Sequence, residues 1–332
     1  MPHTANSTPR VSVIIPSYKT AHLIAGCLDS VLSQTYQDFE AIVVNDGSPD
    51  TAELEKVLEP YRDRIVYIQQ PNKRAAGARN TAIQHARGEF LAFLDSDDTW
   101  LPDHLSSQMQ LADADPSLDL IYSNAMLVWP SDREQEFMER CPSQGQATLA
   151  ALIVERCQIP ISTVVVRKQV LVRAGGFDEK LPRCDDYDMW VRAAFHGAKI
   201  GYGRKVQARL NAGRPGSLSI ERAKMVEAYW NILEKLERTL PLSDADRSVV
   251  QKRAAHIKAK YFVEQGKTLL KQGEFQKAKQ SFADANRNLR SPRLHLVLLG
   301  LTVAPDMTRK VASVWNRIIT GTARPKLGRA HT

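Results

Sequence analysis

Hydrophobic and polar positions along the N-terminal third alternate between two periods. Val11-Ser12-Val13-Ile14-Ile15 is a short apolar, β-branched run closed by Pro16, which predicts a buried strand. Thr20 then stands where it can cap a helix on which Leu23, Ile24, Cys27, Leu28, Val31 and Leu32 recur at helical spacing. Glu40–Val44 predicts a second buried strand ending in Asn45-Asp46-Gly47-Ser48, and Ile65–Ile68 a third. Residues 76–86 read as a helix and Phe90–Leu94 as a fourth strand. Strands alternating with helices predict an α/β fold with a mostly parallel sheet. Ligands bind such sheets outside the carboxyl ends of the strands. Polar residues gather there: Ser17 and Tyr18, Asp46, and Asp95-Ser96-Asp97-Asp98.

Beyond Asp98 the pattern is mixed. Strands are expected near 118–123 and 161–166, helices near 147–156 and 168–174, and a helix after Asp186 carrying Met189, Trp190, Val191 and Ala194. Asn211–Ser217 is Gly-rich and reads as a flexible loop. From about 219 the chain is almost all helical. Gly266, Leu269, Gly273, Phe275, Ala278, Phe282 and Ala285 resemble one tetratricopeptide-type hairpin, the alternative being a generic helical pair. The organisation expected is a flexible 1–10, an α/β domain over 11–220 (a nucleotide half, 11–100, and an acceptor half, 101–220), a helical extension over 221–292 and a basic amphipathic tail over 293–332.

Composition changes this picture little. The 332 residues are 43% hydrophobic and 25% charged, ordinary for a soluble globular protein. A formal charge of +8 favours anionic partners, and no nucleic-acid-binding motif accompanies it. The four cysteines are scattered, so neither a zinc site nor a disulfide framework is expected. MPHTANSTPR lacks the apolar core of a signal peptide, and no apolar run approaches the ~20 residues that span a bilayer. A cytoplasmic protein, at most peripheral to a membrane, is therefore expected. The tail after Leu294 supplies the means: basic residues accumulate around Val311, Val314, Trp315, Ile318 and Ile319, so it could lie on an anionic membrane or pack on the domain.

Candidate chemistry centres on the acids. A strand ending in Asp-x-Asp-Asp sets carboxylates at the mouth of a sheet, where they repel unless a cation or donors hold them. Mg²⁺ or Mn²⁺ shared with substrate phosphates is the natural partner; a turn capping the next helix is the alternative. Asp46 can accept from a base or ribose, or serve as a turn acid. Asn72–Asn80 puts three cations and small residues at a helix start, suited to diphosphate oxygens or simply to solvent. Asp185 and Asp186 offer a general base and a cap, or an ordinary acidic first turn. No G-x-G-x-x-G follows any strand, which argues against a dinucleotide dehydrogenase.

Taken in order, VSVIIPSYK, DSVLSQTYQDFEAIVVNDGSPD, NKRAAGARNTAIQHARGEFLAFLDSDD, GGFDE and DDYDMWVR resemble a family 2 glycosyltransferase of GT-A fold over residues 10–220. The resemblance implies a nucleoside pocket from Pro16, Tyr18 and Asp46, with Arg79 near the base and diphosphate. It implies Asp95 and Asp97 as the DxD acids, Ser96 between them at the nucleotide sugar, and Asp97 as the most direct ligand of Mn²⁺ or Mg²⁺, helped by Asp98. Asp186 falls on the catalytic base; Asp185 stands where Glu is usual, and Asn211 where His is frequent. Trp190 and Arg209 are expected in support, Arg209 opening a stretch like the family's mobile loop. The implied reaction is inverting transfer of one sugar from a UDP- or dTDP-sugar to a hydroxyl acceptor, such as a lipid-linked glycan, in surface polysaccharide or glycolipid assembly. The Gln-x-x-Arg-Trp motif of processive synthases is missing after Asp186, which favours single addition. The alternative is a catalytically silent scaffold recruiting partners through its helical C-terminus.

Overall fold

The apolar runs become the strands of one curled sheet. The structure, a computed structural model, describes residues 8–214 and 221–309; the expectations for residues 1–7, for 215–220 of the Gly-rich loop and for 310–332 of the basic tail lie outside the described residues. The chain divides into two units, Met1–Ile220 with Leu236–Val250 and Glu221–Lys235 with Gln251–Thr332. The sequence boundary at 220 therefore does not separate the units alone, because Leu236–Val250 groups with the sheet.

In the first unit, β1 (Val11–Ser17), β2 (Phe39–Asp46), β3 (Val66–Gln70) and β4 (Phe90–Phe93) run parallel in the order β3-β2-β1-β4. Strands β1 and β4 and the second half of β2 are buried almost throughout, as expected of a parallel sheet covered on both faces. Pairing of β1 with β4 ends at Ile14↔Phe93, after which Leu94 N donates to the Ile14 carbonyl. Two residues further, on the same side, Pro16 lies past the last rung, so its missing N–H costs no ladder bond.

The remaining strands are β5 (Thr99–Trp100), β6 (Leu120–Val128), β7 (Glu134–Glu136), β8 (Val165–Arg167) and β9 (Ile200–Asn211). They continue the sheet in the order β4-β8-β6-β9-β5, with β7 beside β6. Here only β6–β9 is parallel; β4–β8, β6–β8, β5–β9 and β6–β7 are antiparallel. The fold is thus a parallel N-terminal half joined to a mixed half. The expected strand over 161–166 is shorter than its apolar pattern: Ile161–Thr163 forms a 3-10 turn, and β8 begins at Val165. The Thr163 hydroxyl closes that turn on the Pro160 carbonyl at 2.8 Å.

Helix α1 (Ile24–Leu32) starts later than Thr20 predicts and has no side-chain cap. The Thr20 carbonyl accepts from the backbone N–H groups of Leu23 and Ile24, which leaves its hydroxyl for another use. The next helices are α2 (Thr51–Leu58) and α3 (Arg74–His85). The buried face of α3 is Ala76, Gly77, Ala78, Arg79, Ala82 and Ile83, and its alanines and glycine are small enough for the helix to approach the sheet closely. Helices α4 (His104–Ala114), α5 (Phe137–Arg140), α6 (Leu149–Ile153), α7 (Lys168–Arg173) and α8 (Asp185–Phe195) complete this part.

Helices α9 (Arg222–Thr239) and α10 (Asp244–Gln272) contribute to both units. In the second unit Val263 and Leu270 of α10 form a core with Ala278, Phe282 and Ala285 of α11 (Phe275–Leu289) and Leu294, Val297 and Leu301 of α12 (Pro292–Val303). No helix among the described residues is long and apolar enough to cross a membrane. A Cβ at Gly266 would stand 2.8 Å from the ring of Phe282, which is fully buried and cannot withdraw. Gly266→Val should therefore overpack this core and cost about 1–3 kcal/mol, read as a lower unfolding midpoint in urea.

Candidate active site

The C-terminal ends of β1, β2 and β4 and the N-termini of α3 and α8 supply the polar residues. After β4 the chain leaves the sheet as Asp95-Ser96-Asp97-Asp98, a turn closed by Asp98 N on the Asp95 carbonyl at 2.9 Å. A buried chain of hydroxyls laces this turn to β1: Ser17 Oγ lies 3.0 Å from Thr20 Oγ1, which lies 2.8 Å from Ser96 Oγ. This is the use of the Thr20 hydroxyl that the capping expectation missed.

The three aspartates have different partners. Asp98 is buried, its carboxylate accepting from Ser162 Oγ at 2.6 Å and Asn211 N at 2.8 Å, so it anchors the turn and the end of β9. Burial, then the charges of Asp97 and Asp95, raise its pKa well above the usual carboxylate range. Asp97 accepts from Arg214 Nε at 2.6 Å, and its carbonyl from the Asn211 side-chain amide. Burial and Asp95 raise the Asp97 pKa, against Arg214. Asp95 remains one-third exposed and accepts from Arg79 at 2.7 Å.

Arg79 joins the two halves of the site. It is buried on α3, and its other terminal nitrogen donates to Asp185 at 2.6 Å, while Nε has no partner. Its guanidinium carbon lies 5.6 Å from the Phe177 ring centre. Burial opposes its charge, yet Asp95, Asp185 and Asp186 together raise its pKa above the ordinary value. Beside Asp185, Asp186 opens α8 and accepts from Tyr187 N at 2.8 Å. Burial, then Asp185, push Asp186 up to about 6 against the pull of Arg79. Below them Trp190 packs edge-on with Phe93 and Phe177, centroids 6.1 Å away in each case, and its buried Nε1 has no hydrogen-bond partner.

Asp46 is tied to the start of α3. Its carboxylate accepts from Gln70 Nε2 at 2.6 Å and Lys73 N at 2.8 Å, and its carbonyl from Asn72 Nδ2 at 2.8 Å. Gly47 has φ +62°, and a Cβ there would meet Asn72 N at 2.7 Å, so only glycine allows this approach. Pro16 lies in β1 opposite Val44, and Tyr18 presents a ring that is 43% exposed.

The structure therefore links Asp46, through Lys73 and α3, to Arg79, and Arg79 to both Asp95 and Asp185-Asp186. Arg209 stands apart from this chain of contacts: its guanidinium pairs with Glu134 of β7. The neighbouring Asn211 and Arg214 reach Asp97 instead. The sequence carries no signal that marks Arg214, which stands in a Gly-rich loop, or Ser162, one hydroxyl in an apolar run; Thr20 is marked only as a helix cap and Asn211 only by its place in the family resemblance.

The family model described as "Glycosyl transferase family 2" matches residues 12–145. A β-1,3-glucosyltransferase of Escherichia coli, WfaP, is 31% identical over 68% of this chain and 86% of its own. The chain belongs to glycosyl transferase family 2. A second E. coli β-1,3-glucosyltransferase, WfgD, is 34% identical over 54% of this chain and 68% of its own. Against a longer Rickettsia felis glycosyltransferase, 30% identical over 55% of this chain, the match spans only 31% of that relative's length. Among solved structures, Staphylococcus aureus TarS 1–349 with UDP-GlcNAc aligns with TM-score 0.61 at 20% identity, covering 93% of this chain and 92% of that one. The Pyrobaculum calidifontis mannosyltransferase PcManGT, bound to GDP-Man and Mn²⁺, aligns with TM-score 0.59 at 21% identity, covering 94% and 88%. The fold is GT-A, and this family 2 member is a glycosyltransferase.

Within this transferase, Arg79→Gln would leave Asp95 and Asp185 close together without their shared cation. Removing one partner of a buried ion pair costs about 3–5 kcal/mol. A fall in the guanidinium unfolding midpoint of that order is expected, and an unchanged midpoint would show that the bridge contributes little.

Proposed function

We propose that the enzyme transfers a single sugar, with inversion, from a UDP- or dTDP-sugar to a hydroxyl of a lipid-linked acceptor, at the cytoplasmic face, in assembly of a surface polysaccharide or glycolipid. One observation carries the reading: a single buried guanidinium bridges the acid that follows β4 and the acid pair that opens α8. The diphosphate would lie beside Asp95 and Asp97, and the nucleoside against Pro16, Tyr18 and Asp46. WfgD and WfaP are named for UDP-Glc and a diphosphoundecaprenol-linked GlcNAc, and TarS has been crystallised with UDP-GlcNAc. These names support the donor and acceptor classes.

In the proposed reaction Asp186 accepts the acceptor hydroxyl proton as that oxygen bonds to the anomeric carbon from the face opposite the diphosphate. The bond from that carbon to the diphosphate oxygen breaks, and its electron pair leaves with the diphosphate. Arg79 lies where that charge develops, and preformed charge in a water-poor cleft is effective there. One carboxylate suffices because the diphosphate leaves without being protonated, unlike the two opposed carboxyls of glycoside hydrolysis.

The donor set suits a hard divalent cation. Asp97 and Asp95 are oxygen ligands in a pocket acidic enough that Arg214 and Arg79 are drawn onto them. A cation held by one or two carboxylates and by substrate phosphates needs no third protein ligand. Mn²⁺ or Mg²⁺ on Asp97 and Asp95 would supply Lewis-acid stabilisation of the diphosphate, and the Mn²⁺ complex of PcManGT supports this.

Two predictions test the assignment. Because Asp186 acts as its carboxylate, kcat/KM should fall with unit slope below about pH 6. Asp185→Asn removes a like charge and frees Arg79, both of which favour ionised Asp186, so the limb should move to lower pH. Asp186→Asn should cost about 10²–10⁴-fold; near-wild-type turnover would remove Asp186 from the mechanism. Separately, Arg214→Gln should strengthen Mn²⁺ binding without nucleotide, followed by loss of the free-ion EPR signal, whereas Asp97→Asn should weaken it. Unchanged binding in both would reject the ligand assignment.

A further inference from the structure

Helix α12 is apolar on two opposite faces, and only one has a partner. Leu294, Val297 and Leu301 are buried against α10 and α11. On the other side Leu296 and Leu299 are 62% exposed and Val303 76% exposed, and Met307, in the helical turn after Pro305, is 68% exposed. At 100° per residue, positions 296, 299 and 303 fall within a 60° sector roughly opposite the buried one. Helices apolar all round are normally covered on all sides.

Charge identifies what covers this one. From Arg293 to Thr332 the sequence holds seven Lys and Arg and one acid, Asp306, which lies near Arg309 at 3.6 Å. Arg293 at the start of α12 is exposed, and Arg309, just past it, is partly exposed. A second copy seated on this face by a two-fold axis would bring two basic segments together. An acidic surface with an apolar interior complements both features.

We propose that the Leu296–Leu299–Val303 face of α12 docks on an anionic lipid bilayer, its leucines entering the headgroup boundary while Arg293 and Arg309 meet lipid phosphates. The docking brings the enzyme to the membrane where the proposed lipid-linked acceptor resides. It depends on that reading for its purpose, but its test contains neither donor nor acceptor, so the two stand or fall separately.

The full-length protein is sedimented with vesicles of phosphatidylglycerol and phosphatidylcholine, and with phosphatidylcholine alone. The wild type should pellet with the anionic vesicles, lose this binding in high salt, and stay in solution with neutral ones. Leu296→Glu with Leu299→Glu should lower anionic-vesicle partitioning at least about tenfold, with circular dichroism and melting temperature retained. If that pair fails to fold, Val303→Glu, at the more exposed end, should give the same loss. Wild type that ignores anionic vesicles, or folded variants that bind like wild type, overturn the proposal. So does light scattering that finds a wild-type dimer split by the same substitutions without any vesicle binding, which assigns the face to a second copy.

Discussion

A guanidinium buried between carboxylates from two different parts of the fold is a demanding arrangement. Arg79 loses its hydration, and attraction to Asp95 and Asp185 must offset that loss. The offset exists only if α3 holds Arg79 at the right height. The carboxylate of Asp46, fixed on β2, accepts from Lys73 N at the helix start, and the small residues along the α3 face let the helix approach the sheet. The same ion bridge connects the parallel half to α8, so the position of Asp186 depends on it. Asp95 and Asp185 share Arg79 and Asp97 has Arg214, while burial together with mutual repulsion raises the pKa values of Asp97, Asp98 and Asp186.

Identical side chains acquire different roles through environment alone. Asp98 has both oxygens engaged by donors that hold the turn and the end of β9 together. Asp95 and Asp97 instead each accept from an arginine, an interaction that an incoming cation can replace. Asp185 faces Arg79, while Asp186, one residue on, accepts only from its neighbour's backbone among the hydrogen bonds described. Burial and the neighbouring charge of Asp185 leave Asp186 with a proton affinity closer to neutrality, which suits the proposed general base.

Much of this was legible in the chain because its determinants are local. β-Branched runs specify strands β1 and β2 and an aromatic, apolar run specifies β4, and acids directly after an apolar strand specify their own location at its carboxyl end. Arg79 was visible as a cation among small residues at a helix start. The partners across the site were not legible: Thr20 meets Ser96 from 76 residues away, Ser162 meets Asp98 from 64, and Arg214 meets Asp97 from 117. A hydroxyl or guanidinium carries no periodic signature of its distant partner. The same limit explains Thr20, whose hydroxyl predicts a cap on the nearest helix but instead bonds Ser17 and Ser96. It also explains 161–166, where apolar residues suggested a longer strand while Pro160 and Thr163 close a turn.

Of the six non-glycine residues with positive φ among the described residues, Asp132, Glu155 and Arg290 lie elsewhere and three lie at the site. Lys19, Arg74 and Cys184 adopt left-handed φ values of 58°, 62° and 56° without being glycine. Each such residue costs about 1–3 kcal/mol unless its surroundings enforce it. Lys19 follows Tyr18 and donates its N–H to Ser48 Oγ at 2.6 Å. Arg74 is the first residue of α3 and follows Lys73, whose N–H is held by Asp46. Cys184 immediately precedes α8 and its acid pair. Two of the three therefore sit at the starts of the helices whose charges meet in the Arg79–Asp185 bridge. The Arg79–Asp185 ion bridge between those two helices supplies attraction that helps offset the cost of both turns.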